Sequence, residues 1–392
     1  MVEKNSDNSM RITGRSDSEN PKSKIQNPKL KGVIAGGGTG GHLFPGIAVA
    51  RELEKRFEGP EILFVVGRQR MEAEILSRYG YRVESISVEG IKGRGWKKAL
   101  AVLFRLPKSF FQSISVIRRI SPDFVLGVGG YSSGPFCLAA RVKGIPTAIH
   151  EQNSYPGLTN RLLSRWVDHV FVSFEESRAY LKGRSQILSG NPVREELFSD
   201  SGIEDIDQDR FTILVVGGSQ GAMAINKAFA EALEYLNQKG RYPEVIHQTG
   251  KADYSRVTED YRKKGLRGEI NPFIQDMTTA YNRADLVVSR AGASTLFELA
   301  ALGKPSVLIP YPYATNQHQD INARSLVQTG GAEMIRQSDL TGETMAQVLM
   351  KYMDNRGTLE QMGIRARKMG RRDAAKVIVD HLVEMTGAKN SV

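Results

Sequence analysis

Apolar runs that end in glycine recur along the chain and predict buried strands. In the first run, KLKGVIAGGG, ordered structure is expected to begin at Leu30. The segment that follows, HLFPGIAVARELEKRF, has apolar residues at helical spacing. Equivalent strand-to-glycine transitions occur at 124–130 and 211–218. Strands that alternate with helices in this way are typical of βαβ units. The pattern therefore predicts an α/β fold built from doubly wound parallel sheets.

The strand pattern starts again in the middle of the chain, which predicts two domains. An acidic segment without an apolar run, at 199–210, separates two halves that open alike, around Gly36 and Gly217. A chain of 392 residues is also longer than one ordinary core requires. The predicted units are a disordered polar tail at 1–29, a first domain at 30–198, a second domain at 199–371 and a last helix within 372–392 that could pack on either domain.

Composition narrows the environment in which the protein is expected. The single cysteine, Cys137, excludes an intrachain disulfide and a cysteine-based zinc site, which fits a reducing compartment such as the cytosol. No apolar run reaches the roughly 18 residues that a transmembrane helix needs. The tail at 1–29 lacks the apolar stretch of a signal peptide, and its polar composition predicts disorder.

The formal net charge of +11 is unevenly distributed. Between 90 and 119 the chain carries eight Lys or Arg residues and no acidic residue, with aromatic and aliphatic side chains between them. This composition is typical of an amphipathic segment that lies on anionic lipid, and the alternative is a core helix with a solvated basic face. Nucleic acid is disfavoured, because no known binding motif accompanies the charge. The residues assigned to the membrane are Trp96, Lys97, Lys98, Leu103, Phe104, Arg105, Phe110 and Phe111.

Two glycine-rich loops in the first half predict phosphate sites. GGGTGG at 36–41 follows a strand and precedes a helix, whose free N–H groups and positive dipole end favour an anion. A dinucleotide site would also need Asp or Glu after the second strand, which instead ends VVGRQR. GVGGYSSGP at 127–135 repeats the arrangement and predicts a second anion site. A purely structural turn is the alternative for each loop.

Several polar residues are expected at the mouth of the crevice. His42 directly follows the first glycine loop, where an imidazole could act as a general base or could only cap a turn. HEQNSYPG resembles the zinc motif H-E-x-x-H only at its start, because serine stands at its last position. Glu151 and Asn153 are instead expected to face the crevice. Arg194, in GNPVRE, could reach a phosphate or could be a surface arginine.

The segment SRAGASTLFELAALGKP is the most informative part of the second half. It predicts a helix that begins near Ser294 and whose N-terminus could face a diphosphate. Glu298 could then accept hydrogen bonds from both hydroxyls of a ribose. The alternative is a capping box, in which Thr295 and Glu298 bond only to the ends of their own helix.

Three further features of the second half carry less information. Ser219, in GGSQGA, is a natural N-cap beside a glycine turn, and Gln319 could contribute from the polar loop after the informative helix. Asp205 and Asp207 form a D-x-D pattern, but they stand in the acidic segment rather than at a strand end. We therefore expect no metal site.

The order of six motifs matches a known family. GGGTGGHLFPGIAVA, GVGGYSSGP, HEQNSYPGLTNR, GNPVR, GGSQGA and SRAGASTLFELAALGKPSVLIPYPYATNQHQDINA together resemble the bacterial peptidoglycan glycosyltransferases that form lipid II. That family moves N-acetylglucosamine from UDP-N-acetylglucosamine to undecaprenyl-diphosphate-N-acetylmuramoyl-pentapeptide. The resemblance covers the chain from about residue 30 to its end. It implies the GT-B fold, in which two Rossmann-like domains face a cleft and the last helix returns to the first domain.

The resemblance also implies roles for individual residues. His42 matches the proposed general base, and Glu151 would assist it. An extra residue between Pro310 and Asn322 relative to some members weakens the match at Gln319. The implied donor contacts are Thr39, Gly40, Gly41, Asn153, Arg194, Ser219, Ile274 through its backbone, Ala293, Ser294, Thr295, Leu296, Phe297, Glu298 and Gln319. The implied acceptor-diphosphate contacts are Gly38, Gly129, Gly130, Tyr131 and Ser132.

The implied partners are UDP-N-acetylglucosamine, the undecaprenyl-linked muramoyl-pentapeptide, the anionic cytoplasmic face of the plasma membrane and other cell-wall synthesis proteins. No cofactor, metal or nucleic acid is implied. Two alternatives share the same fold, a glycolipid synthase and a UDP-sugar epimerase. A third alternative is a non-enzymatic membrane scaffold, which the presence of His42, Arg194 and Glu298 disfavours because a scaffold needs no complete donor site.

Overall fold

The computed structural model describes residues 29–37, 40–68, 70–88, 95–183, 185–199, 210–218 and 221–387, with the backbone alone at 70, 71 and 95–105. Almost all of the predicted tail and most of the acidic segment, including Asp205 and Asp207, lie outside these residues. Three predicted site residues, Gly38, Thr39 and Ser219, also lie outside them.

Two parallel sheets organise the described chain. The first sheet has seven strands in the order β3-β2-β1-β4-β5-β6-β7, and the second has six in the order β10-β9-β8-β11-β12-β13. Every strand pair in both sheets is parallel. Each sheet thus reverses its strand order once, between β1 and β4 and between β8 and β11. This order is that of the Rossmann fold, which binds ligands at the point of reversal.

The first sheet and its helices follow the glycine-punctuated pattern of the sequence. All residues of β4 and β5 are buried, as expected for strands covered by helices on both faces. The strands are β1 (Lys31–Gly36), β2 (Glu61–Val66), β3 (Arg82–Ser85), β4 (Phe124–Gly129), β5 (Thr147–Glu151), β6 (His169–Val172) and β7 (Gln186–Leu188). The helices are α1 (Gly40–Arg56), α2 (Arg70–Arg78), α3 (Gly95–Ile120), α4 (Ser133–Val142) and α5 (Leu158–Leu163).

The second sheet repeats this arrangement with shorter strands. Its strands are β8 (Thr212–Val216), β9 (Glu244–Gln248), β10 (Glu269–Asn271), β11 (Leu286–Ser289), β12 (Ser306–Leu308) and β13 (Glu333–Met334). Its helices are α6 (Met223–Gln238), α7 (Tyr254–Lys263), α8 (Met277–Arg283), α9 (Ala293–Leu302), α10 (His318–Gln328), α11 (Gly342–Met353) and α12 (Arg356–Arg367). The last helix of the chain is α13 (Ala374–Thr386).

The chain crosses between the two domains twice. After β7, Leu197 packs among core residues of the second domain, just ahead of the boundary predicted at 199. The chain returns through α13, whose buried face (Ile378, Val379, Leu382 and Val383) belongs to the core that α1 forms with the first sheet. Arg56 of α1 also forms an ion pair with Asp380 of α13. The second domain is therefore anchored to the first at both of its ends.

Helix α3 carries the basic, aromatic segment. Its second half packs on α4 and buries Ser113, Val116 and Ile117. Among the residues that the structure describes, no helix combines the length and the apolar character needed to cross a bilayer.

Candidate active site

The two glycine loops of the first domain meet at the point where its strand order reverses. The Gly37 N–H donates to the Gly129 carbonyl over 3.3 Å. Gly129 and Gly130 have φ values of +96° and +79°, and a Cβ added to Gly130 would overlap the backbone of Gly37. Only glycine allows this backbone conformation and this approach at low energy. The two glycine loops therefore lie side by side.

His42 stands in the first turn of α1, against the second glycine loop. A Cβ added to Gly129 would lie 2.7 Å from His42 Nδ1, so the imidazole occupies the space that a side chain would fill. His42 Nδ1 lies 2.9 Å from Oε1 of Gln152, the residue that follows β5. The ring is half-buried, at the carboxyl ends of β1, β4 and β5. This position allows its other nitrogen to meet a substrate in the crevice.

Glu151 does not face the crevice as the sequence suggested. Its carboxylate is 2% exposed and accepts hydrogen bonds from the backbone of Asn153 and Gly157 and from the side chain of Asn160, at 2.8–3.1 Å. Burial raises the pKa of Glu151, although these donors act in the opposite direction. Both of its oxygens are therefore engaged in holding the loop after β5, and the structure favours a structural role over a catalytic one.

Arg194 and Glu298 form a partly buried ion pair beside the cleft. Arg194 Nη2 lies 3.1 Å from Glu298 Oε1, and the guanidinium stacks 4.7 Å from the ring centre of Phe44 in α1. The Tyr281 hydroxyl donates to Glu298 Oε2 over 3.0 Å. Burial, and next the Glu298 carboxylate, raise the pKa of Tyr281, so the hydroxyl stays protonated and remains a donor.

Helix α9 points its N-terminus at the first domain. Its N-cap is Gly292, and Glu298 bonds to other partners, so the capping box that was the alternative does not form. The Ser294 hydroxyl donates to the Gly41 carbonyl over 3.2 Å, which brings the free N–H groups of α9 beside the first turn of α1. The N-termini of two helices thus meet at one point of the cleft, an arrangement that favours binding of an anion.

Asn322 of α10 bridges the cleft and was missed by sequence reasoning. The side chain is fully buried, and its Oδ1 accepts from the Ser154 N–H over 2.9 Å. Its Nδ2 donates to Asn153 Oδ1 over 3.2 Å and lies 3.4 Å from the Ala291 carbonyl. Asn153, a predicted donor contact, is therefore positioned from across the cleft. No spacing rule reveals such a residue, because its partners are distant in the chain.

The remaining predicted donor residues are spread along the same cleft. Ile274 donates its N–H to Gln248 Oε1 over 2.9 Å, which leaves its carbonyl as the backbone group for a base. Gln319 Oε1 accepts from the Tyr311 N–H over 2.9 Å at the start of α10. Gly40 and Gly41 lie in the first turn of α1, and Ala293 and Thr295 in the first turn of α9. Leu296 and Phe297 are buried, so only their backbone could contact a ligand.

The predicted acceptor residues line the start of α4. Tyr131 is half-exposed beside the glycine loop, whereas Ser132 is buried. Ser132 occupies the N-cap position of α4, but its side chain makes no capping hydrogen bond.

Helices α3, α4 and α5 of the first domain carry several exposed apolar side chains. We use the term apolar surface for Phe111 of α3, Val142 of α4, and Leu158, Leu162 and Trp166 in and after α5, all of which are more than half exposed. Arg141 Nε donates to the Trp166 carbonyl, which joins α4 to the turn after α5. Phe110 is half-buried against the core. The structure does not describe the side chains of the other predicted membrane residues, which lie between positions 96 and 105.

Two Rossmann-like domains that face a cleft, with helix N-termini directed into it, define the GT-B class of glycosyltransferases. The model of the glycosyltransferase family 28 N-terminal domain matches residues 33–172, and that of the family 28 C-terminal domain matches residues 212–378. The chain belongs to this family, and within it to the UDP-N-acetylglucosamine–N-acetylmuramyl-(pentapeptide) pyrophosphoryl-undecaprenol N-acetylglucosamine transferases. The predicted family, fold and enzyme class are thereby confirmed.

Relatives with that transferase name match almost end to end. The enzyme of Myxococcus xanthus is 46% identical over 356 residues, which cover 91% of this chain and 93% of the relative. The enzyme of Syntrophus aciditrophicus is 44% identical over 353 residues, which cover 90% of this chain and 98% of the relative.

Solved structures of related proteins share the two-domain fold of this chain. The crystal structure of MurG from Acinetobacter baumannii has a TM-score of 0.73 and 32% identity, and the match covers 91% of this chain and all of that one. A UDP-N-acetylglucosamine 2-epimerase from Neisseria meningitidis, bound to UDP-N-acetylglucosamine, has a TM-score of 0.62 at 16% identity, over 91% of this chain and all of that one. At that identity the epimerase shares the fold alone.

Proposed function

We propose that the chain transfers N-acetylglucosamine from UDP-N-acetylglucosamine to the C4 hydroxyl of undecaprenyl-diphosphate-N-acetylmuramoyl-pentapeptide, with inversion at C1 of the sugar. The observation that supports this proposal is that two glycine loops and the N-terminus of α9 meet beside His42. The imidazole lies between two glycine loops that suit one diphosphate, and α9, which suits another, meets the same turn through Ser294 and Gly41. An acceptor diphosphate and a donor diphosphate can thus flank one base.

The acceptor is held by the first domain in this proposal. Backbone N–H groups at Gly129, Gly130 and the start of α1 bind its diphosphate. His42 then removes the proton from the C4 hydroxyl, and the resulting oxygen attacks C1 of the donor. A general base of this kind contributes about 10²–10⁴-fold to the rate.

The donor is held by the second domain. Glu298 accepts hydrogen bonds from the ribose, while Arg194 and the N-terminus of α9 neutralise the diphosphate that leaves as UDP. Arg194 Nη2 and Glu298 Oε1 lie 3.1 Å apart, so one nucleotide can reach both residues. Charge placed in advance around a leaving group is often the largest single contribution to catalysis.

The apolar surface is proposed to rest on an anionic lipid layer. It lies on the same domain as the acceptor loops, as a lipid-linked acceptor requires. Three exposed basic residues, Arg141, Lys143 and Arg165, are chain neighbours of Val142 and Trp166 and suit negatively charged headgroups. A peripheral position on the cytoplasmic face of the plasma membrane follows from this proposal.

Transfer of labelled sugar from UDP-N-acetylglucosamine to a short-chain lipid acceptor tests the reaction. The wild-type chain should require the acceptor, whereas an epimerase would convert the nucleotide sugar without it, and diacylglycerol in place of the muramoyl acceptor tests for a glycolipid synthase. His42→Ala should lose about 10²–10⁴-fold in turnover while its affinity for UDP, measured by calorimetry, is unchanged. Near-normal turnover of His42→Ala would remove His42 from the mechanism.

A further inference from the structure

The two ring nitrogens of His42 are not equivalent in this structure. A neutral imidazole carries its proton on one nitrogen and accepts with the other, and only the unprotonated nitrogen can act as a base. Nδ1 contacts the Gln152 side chain over 2.9 Å. Which nitrogen is free for chemistry therefore depends on whether Gln152 presents its oxygen or its NH₂ group.

Neighbouring carbonyls decide the orientation of the Gln152 amide. Its Nε2 lies 2.9 Å from the Val128 carbonyl and 3.3 Å from the His150 carbonyl. Carbonyl oxygens only accept hydrogen bonds, so the group that faces them must be the NH₂. Gln152 is also buried, at 1% exposure, so no water competes for these partners. The amide oxygen is thereby directed at His42.

His150 supports the same orientation from the other side. Its Nε2 donates to the Gly190 carbonyl over 3.1 Å, with the Ser173 hydroxyl at 3.2 Å, and its Nδ1 accepts from Gln152 Nε2 over 3.0 Å. Burial lowers the pKa of His150 to about 4, so the ring is neutral near pH 7 and can accept. The Gln152 NH₂ group therefore donates to Val128 and His150, and the Gln152 oxygen accepts the hydrogen carried by His42 Nδ1.

We propose that Gln152 is a positioning residue that holds His42 as the Nδ1–H tautomer, with the Nε2 lone pair free toward the crevice. This inference rests on the proposed role of His42 as the base. In the transfer step, the C4 hydroxyl proton moves to His42 Nε2 as the C4 oxygen bonds to C1. The C1–O bond to UDP breaks, and its electron pair leaves with the diphosphate. The imidazolium keeps its Nδ1–H bond to Gln152.

The amide is chemically distinct from a carboxylate in the same place. A carboxylate would also accept from Nδ1–H, but its charge would favour the protonated, inactive ring. Two titratable groups of β5, His150 and Glu151, interact electrostatically with the His42 ring, and Glu72 of α2 lies against Gly37. A neutral Gln152 therefore orients His42 without adding a charge to this group.

Two substitutions and one spectrum test the inference. Gln152→Leu removes the acceptor for Nδ1–H and should lower kcat about 10–100-fold while the affinity for UDP is unchanged. Gln152→Glu restores that acceptor, so its activity should recover at high pH, with the acidic limb of the kcat/KM profile moved to higher pH. A merely structural role would lower activity in both variants without moving the profile, and that result would overturn the proposal.

Nitrogen-15 NMR of protein labelled at histidine identifies the tautomer of His42 independently of any activity measurement. The His42 signals, assigned by their loss in His42→Ala, should show a protonated Nδ1 and an unprotonated Nε2 in the wild-type chain. Gln152→Leu should show a mixture of tautomers. A protonated Nε2 in the wild-type chain would overturn the proposal, whatever the turnover. Near-normal turnover of His42→Ala would instead overturn the base assignment, so the two failures are distinguishable.

Discussion

A methyl group added at Gly129 should affect both the stability of the protein and its catalytic rate, and the two effects can be measured separately. Its φ of +96° suits glycine, and a Cβ added there would lie 2.7 Å from His42 Nδ1. Gly129→Ala therefore introduces two effects, a strained backbone and a collision with the imidazole. The imidazole must move by roughly 0.7 Å to restore an ordinary contact of 3.4 Å.

The two effects have different magnitudes and different readouts. A residue other than glycine in the left-handed region costs about 1–2 kcal/mol, which lowers the melting temperature by about 2–8 °C for a domain of this size. A displacement near 1 Å in a catalytic group can lower the rate by about 10²-fold. We therefore expect Gly129→Ala to lose about 10–100-fold in kcat on top of a modest loss of stability.

Gly144→Ala is the matched control. Gly144 follows α4 with a φ of +72°, is exposed and has no atom within 4 Å of an added Cβ. The control should show the same loss of melting temperature with normal transfer activity. If Gly129→Ala transfers sugar as fast as Gly144→Ala, the placement of His42 against the glycine loop has no catalytic importance.

Three further predictions concern other parts of the molecule. Asn322→Asp keeps the oxygen that accepts from the Ser154 N–H, but it replaces the Nδ2 donor by an oxygen that faces the oxygens of Asn153 and Ala291. The contact between the domains should therefore lose about 1–3 kcal/mol. X-ray scattering should show a larger radius of gyration, and the KM for the donor should rise. Leu162→Ser should weaken binding to vesicles of anionic lipid by about tenfold or more, since burial of such a side chain contributes about 1.5–3 kcal/mol; co-sedimentation measures this. Burial lowers the pKa of His247 to about 3 from an ordinary 6.5, so the unfolded chain binds the proton more tightly. The free energy of unfolding should therefore fall by about 2 kcal/mol from pH 7 to pH 5, as measured by urea denaturation.

Matched variants and contrary outcomes exist for these predictions. Asn355→Asp makes the same change at an exposed helix start and should leave the scattering profile unaltered. Ile364→Ser alters an exposed residue of α12 in the second domain and should leave vesicle binding intact, so an equal loss in both variants would argue against the apolar surface. His247→Gln should flatten the pH dependence of stability, and a wild-type stability that is level from pH 7 to pH 5 would refute the reasoning.

The fold could be predicted from local patterns because the central strands β1, β4 and β8 are short, largely apolar runs that lead into glycine. The glycine loops and His42 were predictable for a similar reason, since the residues that build them are consecutive in the chain. Thr295 and Glu298 show the limit of this method. Their spacing fits a capping box and a ligand site equally well, and only the contacts of Glu298 with Arg194 and Tyr281 distinguish the two.

The residues that sequence reasoning missed or misplaced act through distant partners. Glu151 was expected to face the crevice because it ends a strand, yet the loop after β5 folds back and surrounds its carboxylate. Gln152 and Asn322 are polar residues in mixed surroundings, and nothing local distinguishes them from solvated side chains. The apolar surface was found only in part, because α4 and α5 join α3 through tertiary packing.

The return of α13 to the first domain also sets an order of events during synthesis. Four core side chains of that domain (Ile378, Val379, Leu382 and Val383) are made after the whole second domain. At about 5–20 residues per second, the ribosome needs roughly 10–40 s to reach them after it has made the rest of the first domain. During that interval the face of α1 that α13 covers is open to solvent or to a chaperone. The first domain therefore completes its native core only after α13 has been made.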